Sequence, residues 1–402
     1  MTLDLMKEQG IPLDAQVATW RELVRTPISK LDDDAFTRMR VLLMASLEAE
    51  AVRFSHSCAR LNRHLQLPLA QVRRAEQHQR TLVGWLLPPD LSQLETTLSY
   101  EQLAVELAGM MAQQEPDPYM AQVYRFGMLE DLDHLYRFAA LLDRVDGRDA
   151  NNILQSYTDI CPGRATRFQH RAPEDDLREN YERKVAHFAS KLHALSAIAV
   201  KQQMHEYYMT VGPQHADPVA RQLFAEIASV EEQHLTHCES TVDAAETWLE
   251  KWVLHEACEV YQYYGCVEHE TSPQVKAVWE RLLACELGHL HFAIDLFERQ
   301  ENRDIAEILP STLPVPLSHG VQRDFVREVA AVEIDLRAAG ARFIDKGYER
   351  SEAAHSMRYR DRINRDGCPS EAVASGYRWT PGTELVTESE HLRGRRGDEV
   401  RL

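Results

Sequence analysis

Apolar side chains recur at three- and four-residue spacing through most of the first 300 residues, on a background rich in Ala, Leu, Glu, Gln and Arg. Alternating Val/Ile/Thr runs are nearly absent, so the pattern predicts an all-α protein. Helices are predicted over about 34–64, 69–87, 91–113, 118–144, 178–211, 218–240, 246–265 and 273–299. The polar stretch 146–176, with Gly147, Pro162, Gly163 and Pro173, reads as a long connector. Residues 307–320 form a Pro-rich linker, and one more helix is predicted over about 321–348, with Phe325, Val329, Val332 and Leu336 on its apolar face. The tail after about 350 reads as irregular, docked through Tyr377 and Trp379.

Three of these helices start alike. Asp117-Pro118, Asp217-Pro218 and Ser272-Pro273 each place an N-cap residue before a proline at the first helical position. A cap oxygen there accepts from an orphan N–H, and proline loses nothing because its own N–H would be unpaired. Thirteen residues after each proline stands an acid, with a histidine three residues further on: Asp131/His134, Glu231/His234 and Glu286/His289. The preceding helix carries a recurring glutamate. Glu106 and Glu206 each lie 12 residues before their proline; Glu259 lies 14 before Pro273, but both Glu206 and Glu259 precede a glycine by six. The unit is helix(Glu)–turn–helix(acid-x-x-His), three times over.

Residues i and i+3 share a helix face, so a carboxylate and an imidazole there can hold one metal ion together. A glutamate at similar height on the antiparallel neighbour can face them, and two such units can enclose a metal pair. Charged helix surface is the plainer reading of any single acid-x-x-His. These acids, however, lie inside apolar stripes: Phe224, Ile227, Leu235 and Cys238 around Glu231; Trp279, Leu282, Leu283, Leu290 and Ala293 around Glu286; Val123, Tyr124, Leu135 and Phe138 around Asp131. A carboxylate facing a core is costly unless it is paired or bound to metal.

The unit resembles the ferritin-like superfamily of dinuclear-iron carboxylate proteins, which includes rubrerythrins, bacterioferritins, ribonucleotide reductase small subunits and bundle oxygenases. Their four helices carry Glu, E-x-x-H, Glu, E-x-x-H. The likeness spans about residues 91–300, between an N-terminal helical region (1–90) and a C-terminal linker, helix and tail (301–402). It implies two iron ions per chain, or iron with manganese, held by two of the three units. The family's long crossover between hairpins fits the 145–177 connector, which favours Glu106, Asp131, His134, Glu206, Glu231 and His234. Asp131 departs from the family's glutamate, although Glu130 is adjacent. The third unit keeps the pattern with Glu259, Glu286 and His289 and adds His255 and Glu256, so pairing of units two and three, or a site shared between chains, stays open. The helices at 34–87 carry Glu48, Glu50, His56 and Glu76 without acid-x-x-His spacing and are assigned to packing or dimerisation.

Charge and cysteine content narrow the class. The 402 residues carry 45 Lys+Arg against 63 Asp+Glu, a formal charge of −18, which argues against a nucleic-acid partner. No apolar run reaches the roughly 18 residues of a membrane span, and the N-terminus has no signal-peptide pattern. Seven cysteines at irregular spacing suit neither a disulfide framework nor a zinc finger, and point to a reducing, cytoplasmic setting. Tyr207, Tyr208, Tyr261, Tyr263 and Tyr264 fall near the units, as packing residues rather than radical carriers. The expectation is a dinuclear iron or Fe/Mn oxidase or oxygenase. It would use O2 on a small organic substrate, and admits a homodimer and an electron-donor protein. A ferroxidase for iron handling, or a helical scaffold with a structural metal, are the alternatives.

Overall fold

Proline opens the three helices where the spacing predicts. Asp117 Oδ1 accepts from Tyr119 N (2.8 Å), and Asp217 Oδ1 accepts from Val219 N (2.7 Å) and Ala220 N (3.0 Å). The third start differs, because the Ser272 side chain makes no cap bond and Glu270 Oε1 takes Ser272 N instead (3.0 Å). The computed structural model describes residues 3–30, 33–160, 170–333, 338–339, 342–343 and 354–377. Eight long helices dominate: α1 (Ala35–Leu61), α2 (Gln66–Gly84), α3 (Gln93–Gln114), α4 (Pro118–Asp146), α5 (Phe188–Val211), α6 (Pro218–Glu239), α7 (Trp248–His269) and α8 (Pro273–Glu301). Shorter helices follow as α9 (Arg323–Glu333), α10 (Ala354–Ile363) and α11 (Pro369–Ala374). The described residues are all-α apart from a two-residue strand pairing, Ala338–Ala339 with Arg342–Phe343, and a single bridge between Asp4 and Thr312.

The first four long helices repeat as the second four. α3 and α7 both have 22 residues, and α4 and α8 both have 29. Both α3 and α7 open with a capping box, Ser92 with Glu95 and Thr247 with Glu250. In this register Glu101 matches Glu256, Asp131 matches Glu286 and His134 matches His289; α5 likewise repeats α1, with Lys201 in the place of Glu48. Hairpins of different halves pack together. α3–α4 and α5–α6 make one four-helix bundle; α1–α2 and α7–α8 make the other, and α1 lies against α5 between them. The expected boundary near residue 90 therefore does not set α1 and α2 apart, because they complete the bundle of α7 and α8. Trp252, Trp279, Phe138, Phe224 and Phe297 are fully buried in the shared core.

One buried tie recurs in both bundles. Glu270, just past α7, accepts from Arg40 Nε (2.9 Å) and Thr37 Oγ1 (2.8 Å) of α1 and from Trp279 Nε1 (3.1 Å) of α8. Glu115, just past α3, faces His193 Nδ1 (2.7 Å) and Ser190 Oγ of α5. Arg40 and Thr37 match His193 and Ser190 in the repeat register, so each tie fastens one half's hairpin turn to the other half. Burial alone would raise the Glu270 carboxyl; the hydrogen bond and charge of Arg40 outweigh it and hold the carboxyl below its usual value.

The last long helix of the first repeat is followed by single turns at Asn151–Leu154 and Pro173–Asp176 within the connector. The predicted helix at 178–211 begins only at Phe188, since residues 178–187 run as turns pinned by Arg178 N to Ser240 Oγ (2.8 Å) and Tyr181 N to Thr241 O (2.9 Å). The tail is not wholly irregular: α10 and α11 form, and α11 packs on α6 and α4. Tyr377 docks against Tyr136 at 5.5 Å between ring centres, while Trp379 and most of the 334–348 portion of the predicted helix lie outside the described residues.

Glu270→Gln strips the charge facing Arg40, whose ion pair is 2% and 0% exposed. Breaking such a pair costs about 3–5 kcal/mol. Glu115→Gln leaves hydrogen-bonding partners and no arginine, so its cost stays nearer about 1–3 kcal/mol. Chemical denaturation of the two variants should give that order; equal losses would contradict it.

Candidate metal centres

Height along an antiparallel hairpin is set by the helix ends. Glu101 lies thirteen residues before the end of α3, as Asp131 lies thirteen after the start of α4; Glu256 and Glu286 stand in the same relation on α7 and α8. Lys201 takes this place on α5, where the single turn Gly212–Gln214 extends the helix to the same length before Pro218. Counting to the proline instead selects Glu106 and Glu206, five residues on and about 140° round the helix. The structure puts both outside the clusters. Glu106 is buried but accepts from Thr158 Oγ1 (2.6 Å) and Gln322 N (2.9 Å), tying the connector and the C-terminal segment to α3; burial raises its carboxyl to about 7. Glu206 is exposed and pairs with Arg53 at 2.7 Å.

Centre one, in the first bundle, gathers Glu101, Asp131, His134, Glu231 and His234, as units one and two together require. His134 Nδ1 is 3.0 Å from Glu231 Oε1 and 3.8 Å from Glu101 Oε2. His234 Nδ1 is 3.6 Å from both Asp131 and Glu231, while its Nε2 meets Glu130 Oε2 at 2.5 Å. Glu130 in turn is held by Arg171 (3.0 Å), which also binds Asp176 (2.6 Å). Tyr208 donates to Glu101 (2.7 Å). Lys201 Nζ lies between Asp131 Oδ1 (2.5 Å) and Glu231 Oε2 (3.2 Å). Burial opposes its charge, but the carboxylates of Asp131, Glu231 and Glu101 outweigh that and keep the ammonium protonated. Burial also opposes ionisation of Glu231, and Lys201 and His234 override it, holding the carboxyl well below its usual value. Centre one thus carries its own cation where a fourth carboxylate would stand, and it fits a metal pair poorly.

Centre two, in the second bundle, has no such cation. Glu76, Glu256 and His289 form one group with ligand atoms within 4.8 Å of one another, and Glu256, Glu259 and Glu286 form a second that shares Glu256. Glu48 from α1 completes the cluster; its Oε1 accepts from Tyr263 (2.6 Å). All six residues are at most 2% exposed. Among the described residues, Glu48 Oε2, Glu76 Oε2, Glu256 Oε2, Glu286 Oε1 and both oxygens of Glu259 find no hydrogen-bond partner. Among the described residues no lysine or arginine pairs with any of the five carboxylates; His289 Nδ1 alone does, 3.2 Å from Glu286 and 3.8 Å from Glu256. Burial first, and mutual repulsion second, push Glu48 and Glu259 well above the usual carboxyl range; burial, opposed by His289 and aided by Glu286, takes Glu76 to about 7. For His289, burial opposes the charge, but Glu286 and its neighbours raise the imidazole to about 10.

The outer nitrogen of His289 is oriented from the N-terminal segment: Nε2 meets Gln16 Oε1 at 2.7 Å. That segment lies so close to α8 that a Cβ on Gly288 would sit 1.9 Å from Ile11 O. Holding an imidazole by its far nitrogen fixes tautomer and ring plane, as metal-ligating histidines require. Centre two therefore offers two groups of ligand atoms that share Glu256 and could hold cations, made from the third unit and the helices assigned to packing. Of its residues, Glu48 and Glu76 were assigned to packing and Glu256 was named only as an addition to the third unit; in centre one neither the carboxylate Glu101 nor the cation Lys201 was singled out. The signal available was the thirteen-residue count from helix ends. His255 instead stacks on Phe54 (4.2 Å).

The two bundles also differ in their interiors. Beside centre one is a pocket half open to solvent, walled by Ala104, Ala108, Gly127 and Ala197 and bordered by Asp131, Lys201 and His234. In the repeat register the wall positions hold Glu259, Tyr263, Leu282 and Met44 in bundle two. Near centre two a crevice runs under the N-terminal segment, lined by Gln16, Gln79 and Cys285.

Carboxyls raised in the folded state favour the fold at low pH and lose that contribution as pH rises through the folded value. For Glu76 the window runs from the ordinary value of about 4 up to about 7. Metal-free protein should therefore lose stability between about pH 4 and about pH 7, and a divalent ion should restore it while displacing protons. Titration calorimetry in buffers of different ionisation enthalpy should show more protons released at about pH 6 than at about pH 8; equal release at both would oppose this account of centre two.

No helix among the described residues is long and apolar enough to cross a membrane. No family model, curated protein or solved structure matches the chain.

Proposed function

We propose that the chain is a non-haem dinuclear-metal oxidoreductase. In this reading centre two holds two iron ions, or iron and manganese, and reacts with O2 to oxidise a small organic substrate. The observation that carries it is the pair of buried ligand groups sharing Glu256, four carboxylates and one imidazole, with Glu48 beside them, unpartnered oxygens throughout the carboxylates and, among the described residues, no lysine or arginine paired with them. Hard oxygen donors with one imidazole suit iron and manganese better than thiolate-loving metals. The ferritin-like resemblance of the acid-x-x-His units agrees, with the ligands drawn from α1, α2, α7 and α8.

Bound there, the metals would supply the electrons for O2 reduction. The protein's part is positional. Tyr263 and Trp252 donate to Glu48 (2.6 Å) and Glu256 (2.5 Å), leaving the other oxygen of each free. Gln16 orients His289, and the packed aromatic and aliphatic shell of Met44, Tyr263, Trp279 and Leu282 excludes water. That same filled interior favours a second reading, oxidation of ferrous ions themselves, because bundle two offers the crevice at Gln16 rather than an organic-sized chamber at the ligands.

Anaerobic loading with ferrous iron should give about two ions per chain. Glu286→Ala with His289→Ala should remove both, whereas Asp131→Ala should leave the count unchanged. On mixing with oxygenated buffer, the ferrous protein should consume O2 and develop a near-ultraviolet ferric absorption. Repeated turnover of added ferrous iron without an organic reductant would select the ferroxidase reading. No bound metal and no oxygen uptake would leave a helical scaffold and end both.

Centre one supplies a separate comparison. Lys201→Glu restores its fourth carboxylate and should add bound divalent metal beyond the wild-type count, read by elemental analysis; an unchanged count would show that the lysine is not what keeps metal out.

A further inference from the structure

The cavity of bundle one is a specific departure from an otherwise repeated architecture. Four positions that bundle two fills with Glu259, Tyr263, Leu282 and Met44 are cut back to Ala104, Ala108, Gly127 and Ala197. A Cβ built on Gly127 meets nothing within 4 Å, so the space is open at that wall. Interiors pack to near-crystalline density, and an apolar void costs stability in proportion to its volume. The walls come from four helices, and on α4 they run through Val123, Gly127 and Asp131, down one side of the bundle axis. Those three residues span about 12 Å along the helix axis, two turns and a fraction.

Its floor is polar. Asp131 is fully buried, and while Oδ1 is taken by Lys201, Oδ2 has no hydrogen-bond partner. A group arriving there has to donate a hydrogen bond. A carboxylate would be repelled by Asp131 and Glu231; an ammonium would be drawn to Asp131, but Lys201 already supplies that counter-charge, so a second cation would bear the cost of its own desolvation. A hydroxyl donates without bringing charge.

We propose that the bundle-one cavity is a binding site for a slender, neutral, apolar molecule ending in a hydroxyl, a straight-chain alcohol being the simplest member of the class, with that hydroxyl donating to Asp131. The site stands independently of metal at centre two, because none of its lining residues belongs to that centre.

The test uses the full chain and three probes of one chain length: decanol, decylamine and decanoate. Thermal shift and calorimetry should show decanol binding and raising the melting temperature, with the two charged probes weaker by at least about tenfold. Gly127→Leu and Ala197→Met each import the residue found at the matching position of the filled bundle. Each should weaken decanol at least about tenfold while leaving the helical circular dichroism intact. Decanol binding no better than the charged probes, or binding the filled variants as well as the wild type, would overturn the assignment. If a filled variant does not fold, the ranking of head groups on the wild-type chain decides alone.

Discussion

Carboxylates buried side by side without a counter-charge are the constraint around which this molecule is arranged. A four-helix interior is a poor medium for charge, and five acids in one such interior demand protons, metal ions or a basic side chain. The two bundles meet that demand differently. Bundle one places the Lys201 ammonium between Asp131 and Glu231 and anchors His234 through Glu130 to Arg171. Bundle two leaves its acids uncompensated and spends its hydrogen bonds on orientation, through Tyr263, Trp252 and Gln16. The same scaffold thus produces an internally neutralised cluster and an electrostatically hungry one, separated by a few substitutions at matching positions.

The ties at Glu115 and Glu270 explain how the clusters are kept in register. Each follows the first helix of a hairpin and grips the first helix of a hairpin from the other repeat. Sliding one hairpin by a turn would move a ligand by roughly 5 Å and would also strip a buried carboxylate of its partners. Stability and ligand geometry are in this way enforced by the same contact.

Much of this was readable along the chain. Helical periodicity placed the eight long helices, proline fixed three starts, and acid-x-x-His located Asp131, His134, Glu231, His234, Glu286 and His289. The facing residues were harder. A glutamate is as common five residues on as at the right height, so Glu106 and Glu206 compete with Glu101 and Lys201 until the ends of α3 and α5 are known. Those ends depend on the cap at Glu115 and on the extra turn at Gly212–Gln214, which local pattern does not reveal. Glu48 and Glu76 lacked the motif because the matching histidine position is Gln79, and their role follows only from which hairpins pack together. The tail helices α10 and α11 were hidden by a composition rich in Arg, Glu and Ser.

The exchange of hairpins between repeats has a consequence for independent change. If each half were a separate chain pairing with a copy of itself, both centres would be identical, and any substitution would strike both at once. Joined in one polypeptide, the halves are addressable separately: a lysine at 201 alters one centre and leaves its counterpart, Glu48, untouched. Yet neither half owns a centre outright, since every cluster draws on both. Divergence is therefore free in chemistry but restrained in shape, because a residue that reshapes one repeat is felt by the bundle it completes and by the one it borders.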